Sequence, residues 1–447
     1  MSKTIKIRKG LDIRLKGEAE LTIGGTLVSG LYGIRPSDFP GFTPKLEVKP
    51  DDIVKAGTPV LYDKNHPEVK ITSPVSGKVV MINRGERRKI LEIAIESDGK
   101  FESEDFHVGD IKMTDREKIK EILLSSGLWP FLIRRPYGII AGVSETPRDI
   151  FISGFDSAPL APDYEFTLSG DMGSFQKGVD VLSKLTDGKV FLSIRSGSIL
   201  SGIKGAEINY FQGPHPSGNA GIQIHHLKPV NKGDVVWTIN PQAVVFIGRL
   251  FETSKLDMSK TIALSGSEVL SPKYFKTVSG VHIKTLTEGK TANKLKERII
   301  SGNVLTGIKV DKDDYLGYYD NQITIIPEGD DYEFLGWAMP RLNKFSMSRT
   351  YLSWLLKGKS FNADANLNGE ERAYVMTGQY EKVLPMEILP VHLIKSIMAE
   401  DIDKMEQLGI YEVIEEDLAL CEFVCTSKTQ VQEILRKGIN LMMKELG

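Results

Sequence analysis

Through the first hundred residues, apolar and polar positions alternate in short runs broken by Gly, Pro and Asp. KLEVKPDDIVKAGTPVLY (45–62), KITSPVSGKVVMINRG (70–85) and KILEIAIESDG (89–99) predict strand, turn and strand in regular succession. From about residue 112 the pattern changes to alternating helix and strand. Thr114-Asp-Arg-Glu117 predicts a capping box, with Ile119, Ile122 and Leu123 on one helical face and Gly127 closing the helix. DIFISG (149–154) predicts a buried strand, and MGSFQKGVDVLSKLTDG (172–188) an amphipathic helix with Phe175, Val179, Leu182 and Leu185 inward. KVFLSI (189–194) predicts the next strand, and Asn240-Pro241 the cap and first turn of the helix QAVVFIGRLFE. This alternation predicts a mostly parallel, Rossmann-like α/β layer over 112–258. TIALSG, YFKTVSG, VHIKTLTEG, ERIISGNVLTG and ITIIPEG then predict strands around one short helix, a β-grasp (SLBB-like) unit over 259–330. Residues 331–447 read as a connecting segment followed by a helical domain. Its last helix carries Val431, Ile434, Leu435, Ile439 and Met442 on one stripe.

The β-rich first domain, residues 1–111, carries a more specific pattern. V-x-P-D-D-x-V-x-x-G-x-P-V (48–60) followed by S-P-V-S-G-K-V (73–79) resembles the barrel-sandwich hybrid of biotinyl and lipoyl domains. Those carriers hold the modified lysine at the tip of an exposed hairpin. Here His66 falls at that position, next to Pro67, and the nearest lysine, Lys64, is two residues out of register. The expectation is a rigid β-module without its swinging arm, used for docking.

Composition narrows the function classes. Apolar content of 41%, charged content of 26% and a formal charge of −2 are those of an ordinary globular protein. With a pI near 6.4, nothing suggests a nucleic-acid partner. The two cysteines, Cys421 and Cys425, exclude a disulfide framework and fit a reducing compartment. No N-terminal run reads as a signal peptide, and the longest apolar runs, such as AVVFIG (243–248), are too short to cross a bilayer. A membrane process would be served from the cytoplasmic side.

Several stretches could carry chemistry. GPHPSGNAGIQIHH (213–226) brings together His215, His225 and His226, but adjacent histidines on a strand face opposite ways and no acid or thiol lies close in sequence. A Gly/Pro loop feeding a strand is the expected reading, with anion binding by the backbone as the alternative. No Walker loop and no G-x-G-x-x-G between strand and helix appears, so NADH binding by this chain has little support. Cys421 and Cys425 stand at i and i+4 on an expected helix and read as buried small hydrophobes, two thiols being too few for a cluster. LYGIRPSDFPGF (31–42) and GLWPFLIRRPYGII (127–140) each place Arg-Pro beside aromatic and aliphatic residues. A quinone headgroup needs a flat apolar slot plus donors to two carbonyl oxygens, which such segments can supply. The plainer reading is an extended Arg-Pro dipeptide with a solvated guanidinium. No residue stands out as a general acid or base; His107, His215, His225 and Asp156 are the weak candidates for proton relay.

Assembled in order, KGLDI (9–13), TSPVSGKVVMINRG (72–85), SGLWPFLIRRP (126–136), VDVLSKLTDGKV (179–190) and FQGPHPSGNAG (211–221) resemble the A-subunit family of Na+-translocating NADH:quinone reductases. FLGWAMPRLNKFSMSR (334–349), YEKVLPMEI (380–388) and EEDLALCEFVC (415–425) extend the resemblance along essentially the whole chain. The resemblance implies a peripheral subunit on the cytoplasmic face of the bacterial inner membrane, with a role at the quinone end and in assembly; the alternatives are a purely structural subunit without quinone contact and a flavin-dependent NADH dehydrogenase subunit. The complex would couple NADH oxidation and ubiquinone or menaquinone reduction to sodium export. It also implies that this chain binds no cofactor, with FMN, FAD, riboflavin and iron–sulfur in other subunits. Its partners would be those subunits, above all the membrane subunit next to the quinone site. The family's quinone-associated segments match Tyr32, Gly33, Arg35 and Pro36, and Phe131, Arg134, Arg135, Pro136 and Tyr137. More distantly, the domain order is similar to the C subunit of the Rnf complex and the flavin-bearing NADH subunit of complex I. Where those have a Gly-rich flavin loop, this chain has SGLWPFLIRRP, and Trp129, Phe131 and Leu132 would obstruct a phosphate.

Overall fold

The computed structural model describes residues 4–111, 113–292, 296–329, 333–347, 349–356 and 358–446. The domain boundaries expected at 111/112 and 330/331 fall at or beside residues outside this description.

The β-rich part is a sandwich of two small antiparallel sheets. One runs Leu31–Ile34, Ile90–Ser97, Gly77–Arg84, Ile53–Val54 in spatial order, the other Pro44–Leu46, Pro59–Asp63, Lys70–Thr72. The period-2 pattern puts Tyr32, Leu61, Ile71, Val79, Ile93 and Ile95 into one core between them. In the hairpin between Pro59–Asp63 and Lys70–Thr72, Lys64 sits at the end of its strand, its N–H bonded to Thr43 O at 2.8 Å. The exposed tip is formed by His66 and Glu68, 3.9 Å apart.

The α/β part is a seven-stranded sheet ordered Thr4–Lys6, Glu207–Gln212, Val190–Ile194, Ile150–Ser153, Val236–Ile239, Ile133–Arg135, Ile139–Ile140. The first five strands are parallel and the last two antiparallel. Two early strands lie outside the sandwich: Thr4–Lys6 edges this sheet, and Glu20–Thr26 pairs with Lys273–Val278 at the edge of the next. The third sheet runs Ile308–Val310, Glu297–Ser301, Gln322–Pro327, Ser259–Ser265, Lys273–Val278, Glu20–Thr26, with the short helix Ile283–Thr287, the expected β-grasp arrangement. Beyond residue 389, the helices Pro390–Met398, Ile402–Gln407, Glu415–Phe423 and Val431–Leu446 bury Leu393, Met405, Leu418, Leu435, Ile439 and Met442. Ile5, Ile7, Phe155, Phe211 and Ile222 complete this second core, fastening the helices to one edge of the α/β sheet.

Local chemistry explains where the sequence reading shifts. The helix Arg116–Ser126 is capped one residue later than expected: Asp115 accepts from Lys118 N at 2.8 Å, while Thr114 Oγ1 donates to Asp110 O. Gly127 closes it in the left-handed region at φ 76, and Thr72 of the sandwich donates to Ser126 O at 2.9 Å. Residues 220–227 form a helix, Ala220–Leu227, not the expected strand. Gly221, Ile222, Gln223 and Ile224 are all buried, so the I-Q-I alternation reflects burial on several faces. The Gln223 amide is satisfied there by Ser153 Oγ and Ser217 O. Cys421 lies on the expected helix, but Cys425 is two residues past its end, with Thr429 N–H donating to its Sγ. Both thiols are buried, as expected.

Candidate functional site

The parallel strand order reverses beside Ile150–Ser153. The chain moves outward through Val190–Ile194 and Glu207–Gln212, then returns on the other side with Val236–Ile239. A crevice is forced open at the carboxyl ends of strands that flank such a switch point. Here it is a cavity of about 290 Å³, with Ser153 and Ile239–Asn240 at the strand ends. The amino ends of the helices Ala220–Leu227 and Pro241–Thr253 face it through Asn219 and Asn240. Phe131, Ile133 and Arg135 form one wall, and Asn303, Leu305, Thr306 and Tyr319 come from the β-grasp unit. Ile414 and Glu416 come from the C-terminal helices. Three parts of the chain therefore meet at one concave surface.

Of the sequence-predicted residues, Phe131 and Arg135 line this cavity. Phe131 stacks on Tyr318 with ring centroids 4.8 Å apart and meets Tyr319 and Phe246 edge-on. Arg135 retains 2% exposure, so the solvated guanidinium of the plainer reading is overturned. Its Nη1 donates to Asp417 Oδ2 at 2.5 Å and its Nη2 to Glu416 Oε1 at 2.6 Å. Burial works against this charge, and Asp417, Glu416 and Glu415 more than restore it. Arg134 faces the other way, paired with Glu145 at 2.7 Å, its guanidinium 5.3 Å from the Tyr137 ring. Pro136 follows a cis peptide bond, and Tyr137 O accepts from Arg436 Nη1 at 2.8 Å.

The first segment does not reach the cavity. Tyr32 is 0% exposed inside the sandwich, its hydroxyl accepting from Ser29 N–H. Gly33 lies against the Tyr315 ring and donates to Gly280 O. Arg35 pairs with Asp38 at 3.2 Å, and Pro36 opens the short turn Pro36–Asp38. The two segments converge indirectly on the Tyr318–Tyr319 pair. Asp38 accepts from Tyr318 N–H, and Phe39 packs on both tyrosine rings at 4.7 and 5.8 Å. Tyr319 Oη in turn donates to Pro130 O at 2.7 Å.

The polar lining includes two half-buried acids, Asp156 and Glu416. Glu416 is raised to about 7, chiefly by burial, with Arg135 opposing and Asp417 and Asp156 reinforcing the rise. Burial also raises Asp156, although its Oδ1 accepts from Ala158 N–H at 2.8 Å. His215, held by Ser157 Oγ at 3.0 Å, is pushed down to about 4 by burial and is neutral at pH 7. Burial raises Tyr164 and Tyr319 well above the ordinary phenol range.

Sequence reasoning singled out His215 and Asp156 but missed Tyr318, Tyr319, Asn240 as a lining residue, and Glu416. The run of three acids at 415–417 was the available signal. The remaining histidines do not join the cavity. His225 Nε2 accepts from Glu387 N–H, so its Nδ1 carries the proton donated to Glu412 Oε2 at 2.7 Å. His226 Nδ1 donates to Ile222 O, and His107 is an exposed partner of Asp105. Among the described residues, no group of three His, Cys, Asp or Glu could hold a metal ion. The turn after the Arg116–Ser126 helix does not fit a flavin phosphate: Trp129 and Leu132 fill it, with Trp129 Nε1 donating to Ala141 O and its ring packed against Trp237.

Three family models match in order: the NqrA N-terminal barrel-sandwich hybrid domain over residues 5–98, the NqrA second alpha/beta domain over 114–256, and the NQRA C-terminal domain over 261–312. A solved NAD+-reducing [NiFe]-hydrogenase chain aligns over 76% of this chain and 62% of its own, at 9% identity and a TM-score of 0.39, too low to carry an argument. The chain is 39% identical over 446 residues to the A subunit of the Na+-translocating NADH-quinone reductase of Neisseria meningitidis, covering 99% of this chain and 100% of that one. The corresponding A subunit of Pasteurella multocida is 38% identical over 449 residues with the same coverage. With its sandwich, α/β and β-grasp parts each matched and its length spanned end to end, the chain belongs to the A-subunit family of the Na+-translocating NADH-quinone reductases, oxidoreductase complexes of which it is one subunit.

Proposed function

We propose that this chain works at the quinone end of the complex, holding the headgroup of ubiquinone or menaquinone in the cavity at the strand switch point. The observation that carries this reading is the lining. The ring of Phe131, braced by Tyr318, supplies a flat apolar wall, Arg135 stands beside it on the same wall, and Asn240 and Glu416 supply polar groups from other sides. Small-molecule sites of this kind occupy about 300–1,000 Å³ and pair apolar walls with a few placed polar atoms. At about 290 Å³ the cavity suits one substituted ring. The segment from Tyr32 to Pro36 contributes by fixing the Tyr318–Tyr319 pair through Asp38 and Phe39.

The chain sits, on this reading, as a peripheral subunit on the cytoplasmic face of the bacterial inner membrane, against the membrane subunit next to the quinone site. FMN, FAD, riboflavin and iron–sulfur groups belong to the other subunits. Among the described residues, no helix is long and apolar enough to cross a membrane. Phe334 is 92% exposed, and Leu335, Met339, Leu342, Trp354 and Leu355 are exposed near it in sequence. Such a concentration of exposed apolar side chains supports docking against a neighbour.

Photo-crosslinking of a quinone analogue in the intact complex, followed by peptide mapping, tests this. Label is expected on the peptide containing Phe131–Tyr137. Label confined to other subunits would leave this chain an assembly component without quinone contact.

A further inference from the structure

Quinol formation consumes two protons, for which the sequence offers only His107, His215, His225 and Asp156 as weak candidates for relay. The surroundings of Arg135 add another. Glu416 keeps 40% of its side-chain exposure while Asp417 keeps none, and Glu416 is the one of the two that lines the cavity. Asp417 holds the guanidinium from within the protein, its Oδ2 also accepting from Ile414 N–H at 3.0 Å. Glu415 is engaged by Arg436, with one contact at 2.6 Å, and acts on Arg135 through its charge. Around the cavity there are thus three carboxyls, Glu416, Asp417 and Asp156, and one guanidinium. The remaining titratable groups of the lining, His215 from the loop, Tyr164 from the α/β layer and Tyr319 from the β-grasp unit, are neutral at pH 7. The buried Asp417 and the half-buried Glu416 share one guanidinium, with Asp156 adding to the negative charge, and the crowding is relieved when the group facing the cavity takes up a proton.

We propose that Glu416 is a proton donor to the quinone bound in this cavity. The inference rests on the quinone reading above. Two electrons arrive from NADH through the complex. As a quinone carbonyl oxygen gains electron density, the Glu416 O–H bond breaks and a new O–H bond forms on that oxygen. The carboxylate left behind lies 2.6 Å from Arg135 Nη2, which stabilises the charge created by the transfer. The second proton reaches the other oxygen from water, which also reloads Glu416, and neutral quinol leaves. Burial and the neighbouring Asp417 and Asp156, which raise Glu416 to about 7, keep this donor loaded up to neutral pH.

The test compares wild-type, Glu416→Gln and Glu416→Asp complexes in NADH-driven quinone reduction across pH, with photo-label mapping on each. Removing a general acid is expected to lower kcat by about 100-fold with KM retained. Glu416→Asp should recover most of the rate with a displaced alkaline limb, which a purely structural role would not produce. Infrared difference spectra of the isolated full chain give a second readout. A protonated-carboxyl band should fade as pH rises through neutrality and be missing in Glu416→Gln. If Glu416→Gln turns over normally while label still maps to Phe131–Tyr137, the donor assignment is wrong and the site reading stands. Label confined to other subunits removes both. Should the variant complex fail to assemble, an unchanged infrared band in Glu416→Gln overturns the proposal by itself.

Discussion

Arg135 Nη1 and Asp417 Oδ2 lie 2.5 Å apart in the interior although 282 residues separate them along the chain. The pair ties the antiparallel strand Ile133–Arg135 to the first turn of the helix Glu415–Phe423, and Asn219 Nδ2 reinforces it by donating to Glu416 O at 2.9 Å. The C-terminal helices are thereby fixed against the mouth of the cavity. The contacts of Arg135 thus join the C-terminal helices to the cavity wall and contribute to the electrostatics of the candidate site.

Arg135→Met leaves Asp417 buried without its counter-charge. Breaking one partner of a buried pair costs about 3–5 kcal/mol, whereas replacing both by apolar groups is often close to neutral. Urea unfolding should show a loss of that order for Arg135→Met and a much smaller one for Arg135→Met/Asp417→Leu. Equal losses in the single and double variants would mean that packing, not charge, matters here.

Stability should carry an opposed pH signature from two cavity residues. Glu416 ionises at about 7 when folded against an ordinary 4.5, so between those values the native chain holds a proton that the unfolded chain has released. Its contribution is therefore present at low pH and is lost as pH rises through about 7. His215 is shifted from 6.5 to about 4, so its contribution is lost as pH falls from 6.5 through about 4. The urea midpoint of wild type minus that of Glu416→Gln should decline as pH rises from 4.5 to about 7. A difference that stays level across this window contradicts the assignment.

Gly33 belongs to the first of the two segments that the family resemblance associates with quinone, yet its environment predicts a packing effect. A Cβ there would come within 2.1 Å of the Tyr315 ring. Gly33→Ala must displace that ring and is expected to cost about 1–3 kcal/mol, as overpacking does. Denaturation measures the loss, while photo-labelling of Phe131–Tyr137 should persist in the surviving complex. Loss of label with full stability would instead place Gly33 at the headgroup.

Cys421 is 0% exposed, and burial raises its thiol, so it is a poor nucleophile without solvent access. A maleimide should leave Cys421 unmodified in the native chain and label it in denaturant. Cys421→Ser should cost about 1–3 kcal/mol, because a hydroxyl in that apolar core needs a hydrogen bond. Rapid stoichiometric labelling of Cys421 under native conditions would contradict the buried assignment.

How far the sequence reading reached depended on the range of the interactions involved. The helix Pro241–Thr253 was legible because Asn240 caps it and Pro241 starts it, both local effects. The stripe of Val431, Leu435, Ile439 and Met442 was legible because helical periodicity is written in adjacent turns. Ala220–Leu227 was misread because a short segment buried on several faces shows no helical period. Within the candidate site, Phe131 and Arg135 were found through their segment. The wrong expectation for Arg135, a solvated side chain, arose because its partners come from the far end of the chain.

The sequence alone determined the order of the β-sandwich, α/β, β-grasp and helical parts, since alternation, caps and turn residues act over a few positions. It also determined the family likeness, which lies in ordered stretches of side chains. Tertiary structure alone decided that Tyr32 and Gly33 are interior packing, that Tyr318 and Tyr319 join the two Arg-Pro segments, and that Glu416 faces a cavity while Asp417 does not. Those outcomes rest on burial and on charges brought together from distant parts of the chain, and neither quantity exists until the layers have closed around them.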